Sequence, residues 1–230
     1  MTMRAIIFDV DGTLAETEEL HRRAFNEAFA AAGLDWHWDR ADYRRLLKVT
    51  GGKERIAAHV AAAGVASPDI PALHRDKTER YTALMAAGEI ALRPGIAELI
   101  ADARSEGLRI AIATTTSRPN VDALIRATMG ADTDAIFDAV AAGDEVAAKK
   151  PAPDVYLLAL HRLNLTAPEA VALEDSLNGF TSAHAAGLRC IVAASAYTDE
   201  ETHPPPAIRI DGFERVARVE RLNALLGQPA

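Results

Sequence analysis

Short apolar segments alternate with amphipathic segments along most of this chain, and this alternation restricts the fold more than any other feature. Strands are predicted at residues 4–8, 109–114, 135–139, 170–174, 189–193 and 207–210. Helices are predicted at residues 96–105, 120–129, 154–163 and 178–186. Strands that alternate with helices form βαβ units with a parallel sheet covered on both faces. We therefore predict an α/β fold with a Rossmann-like, doubly wound parallel sheet.

One long block interrupts this alternation. Strand signals are almost absent between residues 16 and 88, where Leu20 and Ala24 begin an apolar helix face and glycines and prolines separate roughly four helices. We predict an inserted four-helix cap domain at 16–88 and a core domain made of 1–15 and 89–230. An insertion directly after the first strand would place a cleft between the two domains.

Composition excludes several functional classes. The chain has 230 residues, of which 49% are hydrophobic, and its net charge is −8. Because nucleic acids and anionic membranes select basic surfaces, we expect neither as a partner. The single cysteine, Cys190, lies in a predicted strand, which favours a packed thiol over a disulfide or a reactive group. With no apolar run of bilayer length and no signal-like start, the expectation is a cytoplasmic monomer.

Paired carboxylates follow two of the predicted strands. Asp9 and Asp11 end the first strand, and Glu174 and Asp175 end a later one. Carboxyl ends of parallel strands meet at one edge of a sheet, so four negative charges would come together there. A divalent cation with oxygen ligands, Mg²⁺, would relieve their repulsion. One aspartate could attack phosphorus while its neighbour exchanges a proton with the leaving oxygen, although capping and turn roles remain alternatives.

A hydroxyl and a lysine follow two further predicted elements. Thr114 ends an apolar strand, where its hydroxyl and the next backbone N–H groups suit a phosphate oxygen, with Thr115 and Thr116 as competing hydroxyls. Lys150 precedes a proline and a helix start, where its charge could neutralise phosphate and carboxylate. A solvated basic pair with Lys149 is the alternative.

Together these motifs resemble those of the haloacid dehalogenase-like phosphohydrolases. The resemblance covers essentially the whole chain, and the helical block resembles the subfamily I cap of that family. The matching residues, in chain order, are Asp9-x-Asp11-Gly12-Thr13, Thr114, Lys150-Pro151 and Glu174-Asp175.

The resemblance implies a role for each motif. Asp9 would be the nucleophile that forms an aspartyl-phosphate and would also bind Mg²⁺. Asp11 would be the general acid and base, with its carbonyl reaching the metal. Thr114 and Lys150 would hold the transferring phosphoryl group. The remaining metal-site carboxylates are Glu174 and Asp175.

Within the family, residues 11–22 and 50–53 are most similar to the CbbY-type phosphatases, which act on xylulose 1,5-bisphosphate, an inhibitor of Rubisco. This implies a sugar-bisphosphate substrate that is hydrolysed to xylulose 5-phosphate. A second phosphate would need a grip away from the metal. The candidate substrate-binding residues are Glu16, Thr17, His21, Arg44, Lys53, Lys77, Thr115, Thr116, Ser117 and Arg118.

Two alternative functions stay open. The chain is also similar to β-phosphoglucomutase, so a phosphosugar mutase on the same scaffold is possible, although residues 116–118 and Glu16 depart from the mutase pattern. A non-catalytic module that signals through phosphorylated Asp9 is an alternative of another class. Intact proton-transfer and metal-site residues favour catalysis over signalling.

Overall fold

The computed structural model describes residues 3–227, so the outermost ends of the predicted core domain lie outside it. Within this range, six parallel strands form one sheet in the order β3–β2–β1–β4–β5–β6. The strands are β1 (Ala5–Phe8), β2 (Arg109–Ala113), β3 (Ala139–Ala141), β4 (Ala170–Glu174), β5 (Arg189–Val192) and β6 (Ile208–Arg209). The predicted α/β class and parallel sheet are confirmed.

Helices cover both faces of this sheet. They are α1 (Glu18–Ala31), α2 (Arg40–Leu46), α3 (Gly52–Ala63), α4 (Ile70–Ala86), α5 (Ile96–Ser105), α6 (Arg118–Met129), α7 (Thr133–Ile136), α8 (Asp154–Leu163), α9 (Leu177–Ala185) and α10 (Val219–Leu225). Short 3-10 turns occupy Ala167–Glu169 and Phe213–Val216. Among residues 3–227, the helices are too short or too polar to cross a lipid bilayer.

The central strand β1 is buried on both faces, which explains its uninterrupted apolar sequence. Ile6 and Phe8 point into the apolar cluster that includes residues of α5 and α6. Ala5 and Ile7 point into the opposite cluster, which includes residues of α8 and α9. This alternation follows from the two-residue period of a strand and fixes the direction in which β1 leads into the next residues.

The prediction of a strand at residues 135–139 was wrong in position. The structure forms the short helix α7 first, and Phe137 N–H still donates to Thr133 O. Pairing with β2 begins only at Ala139, opposite Ala111. The apolar character of this stretch has another cause, because Phe137 is buried with its ring 6.2 Å from that of Phe8.

Helices α1–α4, which lie between β1 and α5 in chain order, form what is here called the four-helix layer. This layer has an apolar cluster of its own. That cluster contains Phe25, Phe29, Trp38 and Tyr43. The predicted number of helices is confirmed, while the domain boundaries stay a prediction. The two connections to the layer lie side by side, since Ala15 forms an antiparallel bridge with Leu92. The layer therefore leaves and rejoins the rest of the chain at one place.

Candidate active site

The carboxylates lie where the chain order across the sheet reverses, between the neighbouring strands β1 and β4. Asp9 directly follows β1, and its N–H donates to Leu173 O at 3.0 Å. Asp175 directly follows β4. Gly12 makes their approach possible, because it has φ of +84° and a Cβ there would collide with the Asp175 carboxylate. Such crevices at strand carboxyl ends are the usual ligand sites of doubly wound sheets.

Lys150 joins the two strand ends. Its Nζ donates to Asp9 Oδ1 and to Glu174 Oε1, both at 2.6 Å. Tyr156 OH donates to the same Glu174 oxygen at 2.6 Å. Burial alone would lower the pKa of Lys150, but the two carboxylates raise it above its usual value. Lys150 is therefore a permanent cation beside Asp9.

Three buried carboxylates, those of Asp9, Glu174 and Asp175, offer oxygens within 4.8 Å of one another. Burial, followed by the charge of Glu174, raises the pKa of Asp9 to about 8 even with Lys150 beside it. Burial and the charges of Asp9 and Glu174 also raise the pKa of Asp175 well above its usual value. One lysine thus leaves negative charge uncompensated, and a hard divalent cation fits this oxygen set.

Glu174 is the carboxylate least available to a cation. Its Oε1 accepts from Lys150 and Tyr156, and its Oε2 accepts from Asp175 N–H at 3.3 Å. Asp9 and Asp175 are the residues that would hold Mg²⁺ directly. Glu174 instead orients Lys150.

Asp11 turns toward the four-helix layer. Its Oδ1 accepts from Thr17 Oγ1 at 2.6 Å and lies 3.1 Å from His21 Nε2. Lys77 Nζ contacts the other ring nitrogen, Nδ1, and the imidazole stacks on Tyr81 at 3.8 Å. Burial lowers the pKa of Lys77 to about 7. In its charged form Lys77 can only donate, so a neutral His21 then carries its proton on Nε2 and donates it to Asp11.

The pKa values of this group agree with that protonation. Burial, followed by the charge of Lys77, lowers the pKa of His21 to about 4. Burial opposes ionisation of Asp11, but the contacts with His21, Thr17 and Lys77 together lower its pKa below the usual value. Asp11 is thus an ionised carboxylate held by a neutral histidine.

The four-helix layer contains a second polar network, which the sequence analysis did not predict. Tyr43 OH donates to Glu18 Oε2 at 2.9 Å, and Arg55 Nη1 donates to Tyr43 OH at 2.8 Å. Burial raises the pKa of Glu18 to about 7. In the sequence, Glu18 looks like an ordinary acid in a first helical turn and Arg55 like a solvated base. The only available signal was the position of Arg55 beside the buried Ile56.

A cavity of about 630 Å³ lies between the sheet edge and the layer. Ten of the predicted site residues line it: Asp9, Asp11, His21, Lys53, Lys77, Thr115, Thr116, Ser117, Lys150 and Asp175. Lining residues that the sequence analysis did not select include Glu18, Arg55, His74, Asn120 and Asn178. The structure therefore brings most of the predicted site together around one space that opens onto Asp9.

Arg44 and Glu16 lie elsewhere. Both line a second cleft at the junction of the layer with the segment after β5. Arg44 is within 3.1 Å of Asp199 and 2.6 Å of Glu200, so its charge is already paired. The structure does not bring these two residues to the cavity above Asp9.

Arg118 and Thr114 are also absent from the cavity wall. Arg118 lies 2.8 Å from both Asp122 and Asp134, which direct its guanidinium elsewhere. Thr114 is buried, and its Oγ1 accepts from Thr116 N–H at 3.1 Å. The hydroxyl of Thr114 thus orders the loop after β2, whose next residues reach the cavity.

Comparison with known proteins gives a consistent result. The family model of the haloacid dehalogenase-like hydrolases matches residues 3–187. Protein CbbY of Cereibacter sphaeroides is 58% identical over 223 residues, which cover 96% of this chain and 97% of that protein. A crystal structure of CbbY from Rhodobacter sphaeroides with phosphate has a TM-score of 0.93 and 56% identity, covering 96% of this chain and 100% of that one.

A mutant of the same CbbY has been crystallised with xylulose-(1,5)bisphosphate. That structure has a TM-score of 0.91 and 56% identity, and the match covers 96% of this chain and 99% of that one. These matches, each covering 96% of this chain, extend over both the sheet and the four-helix layer.

Proposed function

Because this chain belongs to the haloacid dehalogenase-like hydrolases and is a phosphatase of that family, we propose that it is Mg²⁺-dependent and hydrolyses a sugar bisphosphate. The proposed reaction converts xylulose 1,5-bisphosphate to xylulose 5-phosphate and phosphate. One observation carries the proposal: the Asp9 carboxylate faces the cavity with Lys150 at 2.6 Å, while Asp11 lies on the side of the four-helix layer. This geometry separates a nucleophile from an acid and base.

The proposed reaction has two steps. Asp9 attacks phosphorus, the bond from phosphorus to the sugar oxygen breaks, and protonated Asp11 gives its proton to that oxygen. Asp11 then takes a proton from water, whose oxygen attacks the aspartyl-phosphate and releases phosphate and free Asp9. Lys150 neutralises charge on the transferring group throughout.

Asp11 must be protonated for the first step, yet its contacts with His21 and Thr17 favour the ionised form. We infer that substrate binding changes these contacts, since an incoming sugar oxygen would compete for the same hydrogen bonds. His21 would then hold Asp11 between turnovers rather than during proton transfer.

Mg²⁺, held by Asp9 and Asp175, would supply the positive charge that lets an anionic phosphate approach an anionic nucleophile. The raised pKa values of these two buried carboxylates support that assignment, because each is costly to ionise without a further cation. The cavity-lining hydroxyl groups of Thr115 and Thr116 are placed to meet phosphate oxygens.

The opposite wall of the cavity supports a second phosphate. Lys53, Arg55 and His74 line it from helices α3 and α4. Burial, followed by the nearby charge of Lys77, lowers the pKa of His74 to about 4, so the neutral imidazole can donate or accept at this wall. A bisphosphate with one phosphate at Asp9 and the other near Lys53 matches this distribution of cations, and the related CbbY binds such a ligand.

We further propose that the four-helix layer is a separate cap domain, residues 16–88, on a core of residues 1–15 and 89–230. Its own apolar cluster and its adjacent connections support this division. Hinges near residues 15–18 and 87–92 would let it close over the substrate and limit access of water. The monomeric state and the cytoplasmic location stay predictions.

Phosphate release with Mg²⁺, measured across a panel of sugar mono- and bisphosphates, tests the function. We expect stoichiometric release and a strong preference for xylulose 1,5-bisphosphate over ribulose 1,5-bisphosphate and β-glucose 1-phosphate. Isomerisation of a sugar phosphate without phosphate release would establish a mutase instead. A stable phosphorylated Asp9 without turnover of any substrate would support the signalling alternative.

Asp9→Asn tests the nucleophile directly. The amide cannot form the covalent intermediate, so both turnover and acid-stable labelling from ³²P-substrate should disappear. Asp134→Asn, at an exposed position paired with Arg118, is the matched control and should retain both. Substantial activity in Asp9→Asn would overturn the assignment.

A further inference from the structure

The segment between β5 and β6 touches both sides of the cleft. Residues 193–201, here called the bridging segment, contact Asp175 through Thr198 and Ser195 and contact the four-helix layer at several other points. Four of its residues, Ala193, Ser195, Tyr197 and Thr198, are buried although they lie outside any helix or strand. A buried irregular segment must satisfy its polar groups locally, so its contacts show what it holds in place.

Thr198 contacts Asp175, as does the side chain of Ser195. Thr198 Oγ1 donates to Asp175 main-chain O at 2.8 Å and lies 3.2 Å from the carboxylate Oδ2. Ser195 N–H donates to the same hydroxyl oxygen at 2.9 Å. This donation occupies the acceptor side of the hydroxyl and directs its proton toward Asp175.

Glu201 holds the chain just beyond Asp175. Its Oε2 accepts from Leu177 N–H at 2.6 Å, at the first residue of α9. The bridging segment thus fixes both the carboxylate of Asp175 and the backbone that follows it. Gly12 leaves room for this carboxylate, since a Cβ there would collide with it and crowd Ser195.

Tyr197 is the main contact with the four-helix layer. Its ring lies 5.8 Å from that of Tyr43, at 88°, and it belongs to the apolar cluster of the layer. Its hydroxyl donates to Glu19 Oε2 at 2.5 Å. Arg44 strengthens this junction by donating to Ala196 O at 2.7 Å. Tyr197 and Thr198 are consecutive, so a movement of the layer at Tyr197 is transmitted directly to Thr198.

We propose that Thr198 is a positioning residue for Asp175, and that the bridging segment couples Mg²⁺ binding to the packing of the four-helix layer. This inference rests on the Mg²⁺ site of the proposed function. Mutating a residue that hydrogen-bonds a metal ligand typically weakens metal binding by about 10- to 100-fold. Because linkage is reciprocal, Mg²⁺ binding favours the packed layer by the same factor that the packed layer favours Mg²⁺ binding.

Thr198→Val tests the positioning role, because it removes the hydroxyl and keeps the shape. Mg²⁺ binding is measured by isothermal titration calorimetry without substrate. We expect about tenfold weaker binding in Thr198→Val and near wild-type binding in Thr198→Ser. The Mg²⁺ concentration for half-maximal activity should rise by a similar factor, while kcat at saturating Mg²⁺ is largely kept.

Equal Mg²⁺ affinity of Thr198→Val and the wild type would overturn the positioning role. A wild-type protein that binds no Mg²⁺ would overturn the metal site itself, and with it this inference. The first result leaves the proposed phosphatase untouched, whereas the second removes its cofactor, so the two failures are distinguishable.

Tyr197→Ala tests the coupling from the side of the layer. It should weaken Mg²⁺ binding although Tyr197 does not contact the carboxylates, and it should add little to the loss in Thr198→Val, because both act through one segment. Tyr197→Phe keeps the packed ring and should lose less Mg²⁺ affinity than Tyr197→Ala. It also tests the coupling if Tyr197→Ala proves unstable.

Arg126→Gln, at an exposed ion pair with Asp132, is the control and should leave Mg²⁺ affinity unchanged. Wild-type Mg²⁺ affinity in folded Tyr197→Ala, or fully additive losses in the double variant, would overturn the coupling.

Discussion

His21 is kept neutral mainly by burial and then by the charge of Lys77, against the opposing effect of Asp11. The lysine contacts Nδ1, so the histidine presents an N–H to the carboxylate, and burial and the lysine charge hold the histidine pKa near 4. At neutral pH the imidazole is therefore a neutral donor. A protonated imidazole could not accept from Lys77.

Replacing Lys77 by methionine tests this arrangement. Removing the lysine charge should raise the pKa of His21 from about 4 toward, but not up to, its usual 6.5, because burial remains the larger cause. NMR titration of the imidazole resonances measures the change. Lys53→Met removes another cavity-lining cation and should leave the His21 pKa nearly unchanged. An unshifted pKa in Lys77→Met would contradict the proposed contact.

At the residue scale, strand ends made the core motifs predictable. Asp9 and Asp175 had to lie at one sheet edge once β1 and β4 were assigned to one parallel sheet. Arg55 and Arg118 show why the remainder was not predictable. Whether an arginine faces a cavity depends on which partner its long side chain meets, and the partners Tyr43 and Asp134 lie on other elements.

At the scale of elements, helix α9 must approach β4 closely, because Glu174 lies beneath it. Gly179, in the third position of α9, provides the room, since a Cβ there would collide with the Glu174 carboxylate. Glu174 in turn holds Lys150. The helix is thus seated on the same carboxylate that orients the active-site lysine.

Gly179→Ala reverses the usual helix rule. In an open helix interior the change would stabilise by about 1 kcal/mol, but here we expect a loss of about 1–3 kcal/mol together with a large loss of phosphatase activity. Urea unfolding and steady-state assays measure the two effects. Thr181→Ala, at an exposed position of the same helix, should change neither greatly. A stabilised, active Gly179→Ala would show that α9 is free to move.

Element boundaries were predictable where a single cause acts. Residues 96–105, 154–163 and 170–174 have the bounds that the apolar pattern predicts. At α7 and β3 two causes compete, because Phe137 is apolar for packing against the sheet and not for pairing within it. Pattern alone cannot separate these two reasons for an apolar residue.

At the scale of the whole molecule, the proposed Mg²⁺ site predicts a stability that depends on Mg²⁺. Without the ion, Asp175 raises the free energy of the folded state through burial and repulsion by Asp9 and Glu174. With it, the folded state gains about 2.7 kcal/mol when free Mg²⁺ is a hundred times its Kd. For a chain of this size, each kcal/mol shifts Tm by about 2–4 °C.

Asp175→Asn should therefore invert the order of thermal stabilities. In EDTA the variant should melt above the wild type, because one buried charge is gone. In saturating Mg²⁺ the wild type should melt above the variant, which has lost a ligand. Differential scanning calorimetry compares the four states. Asp144→Asn, at an exposed position on the cavity rim, is the control and should follow the wild type in both buffers. Parallel shifts in both proteins would contradict the metal site.

The bridge between Ala15 and Leu92 has a consequence for how such a chain can diversify. Seen from the sheet, the entire four-helix layer is equivalent to a tight turn, because its two connections emerge as neighbours. The sheet and the carboxylates at its edge require only that these two connections stay adjacent. The helices of the layer, which we propose contact the sugar, can therefore be lengthened, rearranged or exchanged for others without disturbing the register of the strands that lead to Asp9 and Asp175.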